Sequence, residues 1–232
     1  MHHIIENFRR IMEEIPPGKP SYIDSTNCHF LIEKSKLNIL VSDDNFAKSY
    51  FNANVVYQVL KSGNSIAYLD VDTVFSAFLM NMMPDLPNAE NLILFTPTSL
   101  NLEKTIVDIC SLNVPYLKLI VIDSLTTFYH LLAPEYDPLS LNRKIGIYLN
   151  LLQRIAKNFN IPVIVTSMIR ARKSKSGINH WSNSPTESRL FPINDVILKL
   201  ISKENYIEVS ILKHRNISLL GKILLFPIHF KQ

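Results

Sequence analysis

Apolar residues in this chain fall into short continuous runs separated by stretches of helical periodicity. The runs Leu37–Val41, Ile66–Leu69, Leu92–Phe95, Leu119–Ile122 and Pro162–Thr166 predict strands buried on both faces. Between them, helices are predicted over 46–61, 74–83, 102–112 and 138–159. The last is the clearest. Leu141, Ile145, Leu149, Leu152 and Ile155 recur at spacings of three and four, with Leu151 and Ala156 beside them. Such alternation predicts an α/β fold, a mostly parallel β-sheet flanked by helices on both faces. The end of the chain reads differently. Val196–Ile201, Ile207–Leu212 and Ile223–Ile228 are β-branched runs joined by short polar turns, which predicts antiparallel C-terminal strands. At the start, an amphipathic segment (Ile4, Ile5, Phe8, Ile11, Met12) precedes Pro16-Pro17-Gly18-Lys19-Pro20. Residues 1–20 therefore read as an arm and linker, and 21–232 as a single domain.

Composition matters mainly for what it excludes. With 232 residues and 47% hydrophobic content the chain can fill one core. It has only five glycines, Gly18, Gly63, Gly146, Gly177 and Gly221, and no two are closer than 31 residues. Neither an intact P-loop nor a dinucleotide-binding G-x-G-x-x-G fits anywhere. Cys28 and Cys110 form no C-x-x-C and the histidines show no ligand spacing, so no metal site is expected. Two cysteines in a chain of this size fit a reducing compartment. Glu6, Arg9 and Arg10 are wrong for a signal peptide, and no uncharged apolar run reaches the ~18 residues of a membrane span. A cytoplasmic location without membrane contact is the expectation.

Ligands of α/β sheets sit beyond the carboxyl ends of the strands, so the residues there carry the candidate chemistry. After Leu119–Ile122 comes Asp123-Ser124. The carboxylate could hold Mg²⁺ or its water, or the pair could simply cap the next helix. After Leu37–Val41 comes Ser42-Asp43-Asp44-Asn45-Phe46-Ala47-Lys48-Ser49. Set against G-x-x-x-x-G-K-S/T, this window keeps Lys48 and Ser49 but has Ser42 and Ala47 in place of the glycines. Asp43 and Asp44 stand where phosphate oxygens would sit. The loop has the place of a P-loop without its chemistry, because Cβ atoms crowd the backbone and two carboxylates repel a triphosphate.

These residues resemble a known family. Leu119–Ile122 with Asp123-Ser124-Leu125-Thr126, and the later stretch from Leu151-Leu152-Gln153-Arg154 through Pro162-Val163-Ile164-Val165-Thr166, are similar to the RecA/RadA recombinase superfamily, in particular its short archaeal RadA paralogues of the RadB type. Tyr68-Leu69-Asp70-Val71-Asp72-Thr73-Val74-Phe75 resembles that family's Y-I-D-T-E-x-x-F, whose Glu polarises the attacking water; Asp72 stands there one methylene shorter. Leu212-Lys213-His214-Arg215-Asn216, then Gly221-Lys222, resembles its K-H-R segment. The likeness runs over about residues 31–230 and implies a RecA-like core. It implies a vestigial nucleotide site at Lys48, Ser49 and Asp123, with Asp72 a vestigial catalytic position. It also implies that Lys213 and Arg215 reach a neighbouring subunit's phosphates in trans, as an arginine finger does. The departures count as much. Both P-loop glycines are missing, Ser167-Met168 replaces the usual Asn-Gln, and neither an F-x-x-A polymerisation motif nor a helix-hairpin-helix domain is present.

Basic residues concentrate after the last parallel strand. Arg170, Arg172, Lys173 and Lys175 fall within six residues, followed by Trp181, the sole tryptophan. By resemblance this is the family's disordered DNA-contacting loop. Charge for phosphates and a ring for stacking suit single-stranded DNA, while the bland alternative is a solvated loop. Three functions are compatible with this sequence. The first is a non-hydrolysing accessory or mediator protein of homologous recombination and DNA repair. It would have no required cofactor, bind a RadA-type recombinase or another RadA paralogue as a hetero-oligomer, and contact DNA. The second is a weak ATP-binding protein or slow ATPase, with Ser49 and Asp123 on the metal side of Mg-ATP, Lys48 on phosphate and Asp72 as base. The third is a KaiC-like scaffold or signalling protein that does not act on DNA.

Overall fold

The computed structural model describes residues 21–22, 30–168, 170–173, 179–182 and 196–228. In chain order these form β1 (Ser21–Tyr22), β2 (Leu37–Ser42), α1 (Asn45–Lys61), β3 (Ser65–Asp70), α2 (Val74–Met82) and β4 (Leu92–Phe95). Next come α3 (Leu102–Cys110), β5 (Leu117–Asp123), α4 (Leu125–Leu132), α5 (Pro138–Phe159) and β6 (Val163–Met168). The chain then runs through β7 (Arg170–Lys173), β8 (Asn179–Ser182), β9 (Val196–Ser202), β10 (Tyr206–Lys213) and β11 (Ile223–Pro227).

Nine strands make one sheet in the order β1-β11-β10-β9-β2-β6-β5-β3-β4. From β9 to β4 every pairing is parallel, and β10 and β11 add on antiparallel, so the mixed sheet has the expected plan. The tail departs from expectation in one respect. Its first strand, β9, runs parallel to β2, with Asn38 opposite Val196, and the antiparallel pairings begin only between β9 and β10.

Alternation inside the apolar runs feeds two cores. Leu37, Ile39, Val41, Ile120 and Ile122 join one cluster with α3, α4 and α5. Leu40, Leu119 and Val121 join the other, which α1 covers with Tyr50, Phe51, Val55, Val56 and Leu60. Period two on a strand with both faces apolar is why these runs look continuous in sequence. Helix α5 matches its predicted bounds because its ends are written locally. Asp137 accepts from the Leu139 and Ser140 N–H groups, Pro138 comes next, and Asn160 closes the helix in the left-handed region at φ 52°.

The basic segment also differs from expectation. Its backbone forms the two-stranded antiparallel pair β7–β8, with Arg172 opposite His180 and Ala171 opposite Trp181, where the sequence predicts a loop without secondary structure. High charge hides these two short strands in the sequence. Lys175, the arm over 1–20, Cys28 and His29 lie outside the described residues. Among the described residues no helix is long and apolar enough to cross a membrane.

Candidate functional site

The carboxyl ends of β2, β3, β5 and β6 converge, and most of the residues singled out in the sequence collect there. Ser42, fully buried at the end of β2, accepts a hydrogen bond from the Asp44 N–H at 3.2 Å. Its own hydroxyl lies 2.9 Å from the Asp44 carbonyl and 3.1 Å from that of Leu200. Ser42 thus ties the loop to itself and to β9. Asp44 then caps α1: Oδ1 accepts from the Phe46 N–H at 2.9 Å and Oδ2 from the Ala47 N–H at 3.0 Å. Ala47 is fully buried, and Asp43 is exposed beside the cap.

Lys48 comes next, on the first turn of α1, with a side chain that is 0% exposed. Its Nζ lies 2.7 Å from Asp123 Oδ1 and 3.2 Å from Asp72 Oδ2. Asp123 is also fully buried and collects three more donors. Thr166 Oγ1 donates to Oδ1 at 2.6 Å, while the Tyr68 hydroxyl (2.6 Å) and Asn52 Nδ2 (3.5 Å) donate to Oδ2. Asp72 receives the Val74 N–H at 3.2 Å and Thr127 Oγ1 at 3.5 Å, which fastens the start of α2 and the edge of α4 to the same lysine. Of the pair Asp123-Ser124, only the serine is a cap. Ser124 accepts from the Thr127 N–H at 3.3 Å at the start of α4, whereas Asp123 turns into the interior.

A charge this deep persists only if it is paired. Burial disfavours the Lys48 ammonium, but the Asp123 and Asp72 carboxylates outweigh it and hold the pKa above the ordinary lysine value. Burial, reinforced by the negative Asp123, pushes the Tyr68 hydroxyl well above its ordinary value, so it remains a donor. Tyr68 is locked in place by stacking on Phe75, with ring centroids 3.8 Å apart and planes 8° from parallel. Burial also raises Asp70, although its Oδ2 accepts from the Ser76 N–H at 2.8 Å and from the Ser76 hydroxyl. Ser49 Oγ, in contrast, is buried with no hydrogen-bond partner.

Three participants have no role that the sequence alone assigns. Asn52, Tyr68 and Thr166 carry one faint signal each: a polar residue inside an apolar stretch, Asn52 being one helical turn beyond Lys48. Lys213 and Arg215 are not brought to the cluster. Lys213 pairs with Ile197 at the amino end of β9, while Ser42 pairs with Leu200 further along it. The K-H-R segment therefore stands at the opposite end of the sheet from Lys48. Arg215 is exposed, and His214 Nδ1 lies 3.5 Å from Glu33 Oε1 and accepts from the Asn216 N–H at 3.0 Å. Arg170, Arg172 and Lys173 share strand β7, with Trp181 on β8. Ser167 and Met168 are tied to α4: Thr126 Oγ1 accepts the Met168 N–H at 2.9 Å and lies 3.2 Å from Ser167 Oγ.

No family model matches the chain. Over 117 residues it is 29% identical to the DNA repair and recombination protein RadB of Thermococcus gammatolerans. That alignment takes in 47% of this chain and 52% of the relative, so the chain spans about half the length of the protein it matches. The crystal structure of the RadB recombinase superposes with a TM-score of 0.61 at 21% identity, over 85% of this chain and 89% of that one. The chain is thus similar in sequence to RadB over about half its length, and its fold is that of the RadB recombinase structure.

Proposed function

We propose that this chain is a non-hydrolysing accessory protein of homologous recombination and DNA repair, acting through a RadA-type recombinase or another RadA paralogue and through DNA. The similarity to RadB, itself described as a DNA repair and recombination protein, supports the process. One observation carries the non-hydrolysing part: Lys48, the group that would hold a phosphate, is sealed between Asp123 and Asp72. These residues do not fit Mg-ATP as they stand. Asp123 is saturated by four donors, two N–H groups of the α1 terminus are occupied by Asp44, and the Ser42 hydroxyl is bonded within the loop. Calorimetric titration of Mg-ATP into the full chain is expected to give no heat. Micromolar binding accompanied by turnover would overturn this reading. The second reading, a slow ATPase using Lys48, Ser49, Asp72 and Asp123, draws on the unpartnered Ser49 hydroxyl, and the same titration decides between them.

Lys213 and Arg215, remote from the chain's own cluster, serve a partner's nucleotide in trans in this proposal. With the recombinase partner present, Arg215→Ala is expected to lower the partner's stimulated ATP turnover by roughly 10-fold or more, the scale of an arginine supplied in trans. Unchanged stimulation would remove this residue from the proposal. Arg170, Arg172, Lys173 and Lys175, with Trp181, form the DNA contact.

A further inference from the structure

We infer that Asp44 is a built-in anion, an autoinhibitory contact that takes the place of an external phosphate at the start of α1 and closes the site from within. The inference rests on the reading of the chain as one that works without nucleotide, and it goes further by naming the residue that enforces this. The geometry is specific to a carboxylate. Each Asp44 oxygen takes a different N–H, Phe46 at 2.9 Å and Ala47 at 3.0 Å, so the side chain bridges two neighbouring amides as an oxyanion would. Asp44 itself sits in extended backbone at φ −132°, ψ 128°, and its N–H is held by the buried Ser42 hydroxyl. The residue in a glycine's place therefore holds the residue in the ligand's place. One turn further on, a second observation points the same way. Lys48 is a wholly buried cation answered by Asp123 and Asp72, and beside it the Ser49 hydroxyl is buried without any partner. The Phe46 and Ala47 amides and the Lys48 ammonium are each answered by an internal carboxylate, and the buried Ser49 hydroxyl is left over.

The test uses the full chain, with inorganic pyrophosphate as the external anion and thermal unfolding as the readout. The wild type is expected to unfold at the same temperature with and without millimolar pyrophosphate. Asp44→Ala is expected to unfold roughly 2–4 °C lower, as a lost N-cap does in a domain of this size, and to regain most of that when pyrophosphate is added. Asp43→Asn with Asp44→Ala, which removes the exposed neighbouring carboxylate as well, is expected to respond at lower pyrophosphate. Asp44→Asn has one carbonyl oxygen where the carboxylate has two, and is expected to fall between wild type and Asp44→Ala. Equal responses of wild type and Asp44→Ala, or a destabilised Asp44→Ala that pyrophosphate does not rescue, would overturn the role of Asp44. Neither of those results touches the accessory reading, which falls only if the wild type turns over ATP.

Discussion

Lys48→Ala is expected to destabilise the whole domain by about 3–5 kcal/mol, the cost of leaving a buried ion pair with one side missing. The total stability of a domain is about 5–15 kcal/mol, so the loss takes a large share of it and lowers the unfolding temperature by roughly 6–20 °C. The reason lies in what remains. Asp123, 0% exposed, keeps three neutral donors but loses its cation, and Asp72 loses the same partner. The effect is expected to persist up to high pH, since the Lys48 pKa lies above the ordinary 10.5. Its stabilisation is complete below the unfolded value near 10.5 and disappears only as the pH climbs through the higher folded value. Adding Asp123→Asn to Lys48→Ala is expected to return part of the stability by removing the orphaned charge, which a double-mutant cycle in chemical denaturation measures. A phosphate-binding lysine in an open loop behaves oppositely: its removal weakens ligand binding and leaves the fold alone. A Lys48→Ala protein with wild-type stability would show that the cluster does not lock the site.

The second large effect is expected on DNA. Replacing Arg170, Arg172, Lys173 and Lys175 together by serine removes four cations. At about 0.7 released counterions per phosphate contact on a single strand, the slope of log affinity against log salt should flatten by roughly 3. Between about 50 and 200 mM salt, four such contacts account for a factor of roughly 50, so the variant should lose that much salt sensitivity while folding normally. Among the described residues β7 and β8 form a two-stranded sheet of their own, apart from the main one. Fluorescence anisotropy on a labelled oligonucleotide at several salt concentrations reads both slope and affinity. An unchanged slope would assign the basic cluster to solubility. Trp181→Ala separates stacking from charge: it should weaken binding about 10-fold with the slope intact.

Local rules explain what can be read without coordinates. Leu119–Ile122 is identifiable as a strand because both of its faces are buried, and α5 because Asp137, Pro138 and Asn160 mark its ends within a few residues. The cluster around Lys48 is different. Asp123 and Thr166 come from strands 75 and more residues away, and no periodicity announces that they will face one lysine. Asp44 is legible as a charge but not as to its use. In sequence it is a carboxylate that repels phosphate, and in the fold it is the cap of α1, accepting from the Phe46 and Ala47 N–H groups. The basic strands are hidden because charge and turn residues outweigh the weak alternation of Arg170 to Lys173. The parallel run of β9 depends on where the chain returns to the sheet, which is set by packing across it.

The position of β2 has a consequence for how the protein is made. β2 lies mid-sheet between β6 and β9, and Asn38 finds its neighbour Val196 only 158 residues later. At a ribosomal rate of about 5–20 residues per second, the apolar run Leu37–Val41 waits on the order of 8–30 s for its second flank. Until β6 is made the nascent strand is unpaired and uncharged, and one of its edges then stays open until β9 arrives, the kind of surface that chaperones cover.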